Sequence, residues 1–335
     1  MKKLRSALVC LLALPSLGQA VETDPVGFIS VTVPTASDVA LGAPLARPNE
    51  FQGVIESISG STITVAGTPG WTASQFQYVS GSQPKTYYLR VDSGAKEGLV
   101  LPISTNGTSS VTITLPSGED LSGISTNQVP VAPYATGEVV SIAPYWTLGS
   151  LLPGAVAGTQ ILALPADTAG VNLAPITYTS NGTNWLRGVT NSNDVCLVEY
   201  QGIIVRNNST TQSLTVTVTG AVPMAGYRLR LKTLAANTRQ DYRFFYNSPI
   251  PEVIGNVISS SSLSPGDQFL FTDNNAVGKN KPSTTLTWNG SNWLQGATVV
   301  TSTFTLQPGW SYLFRKIQNA SPGSVVWSDL PSYLQ

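Results

Sequence analysis

A nine-residue stretch recurs with small changes. Ser180-Asn181-Gly182-Thr183-Asn184-Trp185-Leu186-Arg187-Gly188 returns as Trp288-Asn289-Gly290-Ser291-Asn292-Trp293-Leu294-Gln295-Gly296, which sets Trp185 and Trp293 108 residues apart. The same spacing links Gly158, Gln160 and Leu162 with Gly266, Gln268 and Leu270. It also links Gly170 and Asn172 with Gly278 and Asn280, and Thr177 and Thr179 with Thr285 and Thr287. A period of domain size points to one module used twice rather than to a solenoid. Any fold for this chain must accommodate that module in two places.

The repeated stretch reads as a β-hairpin. Asn-Gly between alternating runs favours a two-residue turn, because both residues tolerate positive φ. With Asn181-Gly182 at the tip, Tyr178 would face Trp185, and in the second copy Leu286 would face Trp293. Ile176, Tyr178 and Trp185 would then share one face, as would Leu286, Trp288 and Trp293. Two readings follow. The tryptophans clamp the hairpin onto a sheet, or Trp185, Tyr178, Trp293 and Trp288 form aromatic platforms that bind a sugar ring. The clamp is the leading reading, because each Trp recurs with its structural partners. Each copy ends in a similar strand, 202–207 and 309–316, after a one-residue slip.

The remaining chain is patterned as short strands. The run Ile29-Ser30-Val31-Thr32-Val33 alternates cleanly. Val54-Ile55-Glu56-Ser57-Ile58 should pair with Ile63-Thr64-Val65 through Gly60-Ser61. Tyr87-Tyr88-Leu89-Arg90-Val91, Val111-Thr112-Ile113, Leu214-Thr215-Val216 and Tyr227-Arg228-Leu229 continue the series, while 234–240 suggests a helical turn. Turn signals about every ten residues predict an all-β, multi-domain, sandwich- or barrel-like chain. The expected divisions are a signal peptide over 1–20, an N-terminal β-domain over 21–136, a first repeat module with connecting strands over 137–245, and a second module with a tail over 246–335.

The signal peptide is read from Lys2, Lys3 and Arg5, an apolar core over 7–14, and Gly18-Gln19-Ala20 before a cut. That core is too short to span a bilayer, and no later stretch in the mature chain reads as a transmembrane segment. Export to the periplasm, cell surface or extracellular space is expected. The composition agrees, with only 11% charged residues against about 25% in a typical soluble domain. Removing the leader leaves 15 basic against 18 acidic residues, so no broad basic surface for nucleic acid is expected.

Three blocks resemble a family of exported, β-rich bacterial proteins without an established activity. They are Thr23-Asp24-Pro25-Val26-Gly27-Phe28, then Tyr87-Tyr88-Leu89-Arg90 with Ser93-Gly94-Ala95-Lys96-Glu97-Gly98, then Pro144-Tyr145-Trp146-Thr147-Leu148. The resemblance spans essentially the whole mature chain. It implies export and a shared full-length architecture, and it carries no catalytic residue.

The residue inventory narrows the chemistry. The chain has no histidine, which removes Ser-His-Asp and Cys-His constellations and every His metal site. Cys196 is the only thiol beyond the leader and reads as a small buried hydrophobe at a strand entrance. Asp273-Asn274-Asn275 fails the EF-hand pattern, with Val277 and Thr284 at ligand positions. Asn193-Asp194 and Glu119-Asp120 read as polar loops. Arg228, Arg230 and Lys232 alternate on one strand face, read as solvated or edge-guarding, with an anionic-glycan contact as the alternative. Neither a cofactor, a metal nor a catalytic residue is expected. The leading expectation is a non-enzymatic structural or adhesive protein of the envelope or matrix. The second is a carbohydrate-binding protein, and the third a histidine-independent glycosidase using two carboxylates. The expected partners are polysaccharide, envelope components or further copies of the chain.

Overall fold

The computed structural model describes residues 25–78, 86–116, 118–126, 137–198, 200–318 and 320–335. The expected leader, 1–20, lies outside them. The described chain is almost entirely β and contains a closed barrel and two sandwiches.

The first strands are β1 (Val26–Val33) and β2 (Ser37–Leu41). Six more follow: β3 (Phe51–Ser59), β4 (Thr62–Val65), β5 (Tyr87–Val91), β6 (Val100–Asn106), β7 (Ser110–Ile113) and β8 (Val139–Pro144). They close a barrel in the order β3-β4-β7-β6-β5-β8. Ser59 pairs with Thr62 across Gly60-Ser61, as the sequence predicts, and Gly60 supplies the positive φ. Alternation along the strands sends Ile55, Ile63, Leu89, Leu101, Val111 and Ile142 inside. Register shifts at Ile55/Ser57 and Ile103/Thr105 bend two strands around the closure.

After the barrel come α1 (Leu148–Leu151), β9 (Gln160–Ala163), β10 (Ile176–Ser180), β11 (Trp185–Arg187), β12 (Thr190–Asn191), β13 (Ile203–Asn207) and β14 (Leu214–Ala221). The last part holds β15 (Tyr227–Thr233), β16 (Gln240–Phe244), β17 (Glu252–Val253), α2 (Ile254–Val257), β18 (Gln268–Phe271), β19 (Thr284–Trp288), β20 (Trp293–Gln295), β21 (Thr298–Val299), β22 (Thr305–Leu306), β23 (Tyr312–Lys316) and β24 (Gly323–Asp329). Two six-stranded sheets result, β12-β11-β10-β9-β13-β2 and β21-β20-β19-β18-β23-β16. The ribbon β1–β14 shares a core with the first sheet, through Val33, Val216 and Val218 against Val39, Ile161 and Val205. The ribbon β15–β24 does the same for the second, through Leu229, Leu231 and Trp327 against Phe244, Phe269 and Phe314. Each fully buried aliphatic or Phe side chain contributes roughly 1.5–3 kcal/mol.

Strand pairing crosses the divisions read from the sequence. β1 and β2 lie in the 21–136 segment but pair with β14 and β13. β8 lies beyond 136 but completes the barrel. β16 lies before 246 but pairs with β23. The barrel is therefore an insertion between β2 and α1 of the first sandwich. Residues 234–239 form a turn, with Asn237 at φ 53°, and Gln240 opens β16, so the helical turn expected over 234–240 is not formed.

The two sandwiches grip each other through matched contacts. Arg206 on β13 donates to both oxygens of Asp38 on β2, at 2.7 and 2.8 Å. The second sandwich adds Asn280, whose N–H donates to Asp38 (2.8 Å) and whose Oδ1 accepts from Arg206 (2.6 Å). The counterpart runs the other way. Arg315 on β23 donates to both oxygens of Asp241 on β16, at 2.7 and 3.0 Å. Asn172 of the first sandwich donates its N–H to Asp241 (2.8 Å) and accepts from Arg315 (2.8 Å). Asn172 and Asn280 share a φ of 52°, a left-handed geometry that Asn tolerates. Backbone bridges Leu41–Trp310 and Gln201–Phe244 continue each sheet into the other. Gly42 sits where this approach is tightest. A Cβ there would lie 2.2 Å from Phe245 Cβ.

Candidate functional site

The barrel and both sandwiches meet around β5 and β8. Alternation puts Tyr87, Leu89 and Val91 in the barrel core and turns Tyr88 and Arg90 outward. The chain leaves the barrel at Pro144, and Tyr145 and Trp146 follow. Trp146 donates its Nε1–H to the Leu45 carbonyl at 2.7 Å, and the Arg47 guanidinium lies 5.5 Å from its ring centre. Tyr88 packs on Tyr145 with ring centres 4.7 Å apart. Tyr88, Arg90, Trp146, Tyr200 and Phe245 line a cavity of about 60 Å³.

A second cavity of about 130 Å³ shares Arg90 and Ala46 with the first and adds Asn49, Gln52, Asp92 and Met224. Arg90 Nε lies 2.5 Å from Asp92 Oδ1, and both side chains are less than a tenth exposed. Burial opposes the charge on Arg90, but the neighbouring Asp92 charge outweighs it and holds the pKa well above the usual value. Burial raises the pKa of Tyr88 and of Tyr200. Asp92 Oδ2 is buried and has no hydrogen-bond partner among the described residues. The aromatic rings line the smaller cavity and Asp92 the larger, and the two cavities share Arg90 and Ala46. Among the described residues, no cluster of His, Cys, Asp or Glu is arranged to hold a metal ion.

The residues singled out from sequence lie elsewhere. Trp185 is 2% exposed and Trp293 is fully buried, while Tyr178 and Trp288 are buried beside them. An aromatic platform needs an open ring face, and none of these four rings has one. They are core residues of the sandwiches, which corrects the sugar-platform expectation. The facing partners also differ. Ser180, not Tyr178, stands opposite Trp185, and Trp288, not Leu286, opposite Trp293. The turns are tipped one residue later, because Asn181 and Asn289 cap them through side-chain oxygens that accept N–H bonds two and three residues on. The expected faces survive, since a two-residue change of partner preserves the pleat.

Other expectations meet structural explanations. Arg228, Arg230 and Lys232 do not form an open cationic face. Arg228 pairs with Glu119 of the barrel at 3.2 Å, and the Glu119 side chain is 2% exposed. Lys96 reaches Glu119 as well, at 3.6 Å. Asp273 accepts the Asn275 N–H, and Asn274 clasps the backbone of Ala40. Asn193 accepts the Trp185 N–H at 2.8 Å. Cys196 is partly buried rather than core, its Sγ 3.6 Å from the Asp194 carbonyl, and burial raises its pKa. Comparison of the chain with family models, curated proteins and solved structures gave no match.

Proposed function

We propose that this is an exported, non-enzymatic structural or adhesive protein of the cell envelope or extracellular matrix, built on one β-module used twice. The observation that carries this reading is the interlock. Two sandwiches exchange ion-paired loops, and a barrel tied to both fills the junction. Such a body resists deformation because separation must break several long-range contacts at once. The low charge and the basic-apolar-small leader pattern support the placement outside the cytoplasm. Cell fractionation with mass spectrometry of the purified protein tests it. An N-terminus near Val21 and recovery from envelope, matrix or medium are expected. An uncleaved cytoplasmic protein, or robust turnover by the purified chain, would contradict it.

A second reading, carbohydrate binding, is favoured by a polar cavity at Asn49, Gln52 and Asp92 that shares Arg90 with the neighbouring aromatic-lined cavity. A polysaccharide panel against the wild type and the Gln52→Ala and Met224→Ala variants distinguishes the two. Both positions are exposed, so the fold should persist. Binding that weakens in the variants would promote this reading. Absence of binding would leave the junction as a packing seam.

A further inference from the structure

We infer that the open edge of β1 is a strand-addition surface at which a second copy of this chain pairs, β1 against β1, about a two-fold axis at Ile29. The register of the β1–β14 ribbon shows which backbone groups face that edge. The Val222 N–H donates to the Pro25 carbonyl at 2.7 Å, so Pro25 and Val222 form a hydrogen-bonded pair. Such pairs recur at every second residue of an antiparallel ladder, which gives Gly27, Ile29, Val31 and Val33 to β14. The N–H and C=O groups of Val26, Phe28, Ser30 and Thr32 point the other way, and none meets a partner among the described residues. The far edge of β14 is different. Ala221 exchanges both its bonds with Ala46 there, each at 2.9 Å, and α1 packs alongside.

The duplicated module shows what a covered edge looks like. β15 is the counterpart of β1, with Leu229 and Leu231 in the places of Ile29 and Val31. The barrel covers it. The Gly226 N–H donates to Glu97 at 2.6 Å, and Arg228 pairs with Glu119 at 3.2 Å. Leu229 and Leu231 are buried. Ile29 and Val31 stay partly exposed, although Val218 and Val216 opposite them on β14 are buried. The solvent side of β1 is apolar where the strand begins, with Val26 79% and Phe28 72% exposed. β1 carries no charge and no proline, the usual guards of an open edge, whereas β15 holds Arg228, Arg230 and Lys232. An uncharged strand meets its own copy without like-charge repulsion. Antiparallel pairing about Ile29 sets Val26 opposite Thr32 and Phe28 opposite Ser30 of the second copy. All four outward residues then exchange N–H···O bonds, and the added strand covers Ile29 and Val31. The interface is isologous and closes at two copies. A strand pair is smaller than the roughly 1,600 Å² of a standard interface, so the dimer should dissociate on dilution. The inference rests on this edge and not on where the protein works.

Sedimentation of the purified protein over a wide concentration range tests it, with a reductant present so that Cys196 cannot join copies. A reversible monomer–dimer equilibrium is expected. Phe28→Lys with Ser30→Lys places lysines opposite each other across the axis and should leave only monomer at concentrations where the wild type is dimeric. Both side chains are exposed, so the fold should persist, which circular dichroism checks. Phe28→Lys with Ser30→Glu sets each new lysine against a new glutamate and should restore the dimer. A wild type that stays monomeric at its highest soluble concentration would overturn the surface. So would an undiminished dimer in the folded double-lysine variant, or open-ended oligomers, which would put β1 on a different edge.

Discussion

Trp185 and Trp293 occupy matching positions but differ in one hydrogen bond. Trp185 Nε1 donates to the Leu152 carbonyl at the end of α1, at 3.1 Å. The carbonyl of Val257 in α2 is taken instead by Trp327, at 2.6 Å, and Trp293 Nε1 has no partner among the described residues. Replacing either Trp by Phe removes core volume, but only Trp185→Phe also breaks a bond. It should cost about 1 kcal/mol more than Trp293→Phe in urea denaturation, and equal losses would refute this asymmetry. A second contrast is electrostatic. Lys316 donates to Asp267 at 2.6 Å in the second sandwich core, where both side chains are almost fully buried. The first sandwich has neutral Asn207 and Thr159 at the matching positions. Lys316→Met strands a buried carboxylate and should cost about 3–5 kcal/mol. The double change Lys316→Asn with Asp267→Thr should cost less than that single one, because it recreates the neutral pair.

Between elements, the decisive contacts are the exchanged loops. Asp38 is a partly buried carboxylate whose pKa burial would raise. The Arg206 hydrogen bond, the Asn280 N–H and the nearby positive charges of Arg206 and Lys281 outweigh burial and hold it below its ordinary value. A depressed folded-state pKa adds stability above the unfolded-state value, near 4, and that stability is lost as the pH falls through the folded value. Asp329 has the opposite sign, since burial raises its pKa. Asp38→Asn should therefore cost about 2 kcal/mol at neutral pH, and this difference from wild type should shrink below about pH 4. A pH-independent difference would remove the ion pair from the explanation. Little of this clasp was legible in the sequence. The loop residues Gly170, Asn172, Gly278 and Asn280 stood out because left-handed turns restrict residue choice locally. Their partners did not, since no local pattern ties Asp38 to Arg206 or Asn280. For the same reason β1 reads clearly as a strand from its alternation, yet nothing in Ile29 or Val31 points to Val218 or Val216 as partners. Alternation placed Arg228 and Arg230 on one face, but only folding brings Glu119 to them.

Across the whole molecule, a barrel inserted in one sandwich also ties down the other. The Gly226 N–H donates to Glu97 of the barrel at 2.6 Å, and Tyr200 O–H reaches the Gly98 carbonyl at 3.4 Å. Gly98 has φ 82°, and a Cβ there would lie 2.3 Å from the Gly226 carbonyl, so the approach requires glycine. The chain passes from the first sandwich to the second only once, through the short link between β14 and β15, where Met224 is half exposed. Interlocking through exchanged loops and bridged sheets predicts that this covalent link is dispensable once the protein has folded. The direct measurement is to place a protease site at Met224, cleave the folded protein, and compare it with the intact chain by size exclusion. The two fragments should elute together at the position of the intact protein and separate only in denaturant. Fragments that part in native buffer, each still folded, would show that the sandwiches are independent bodies joined only by the chain.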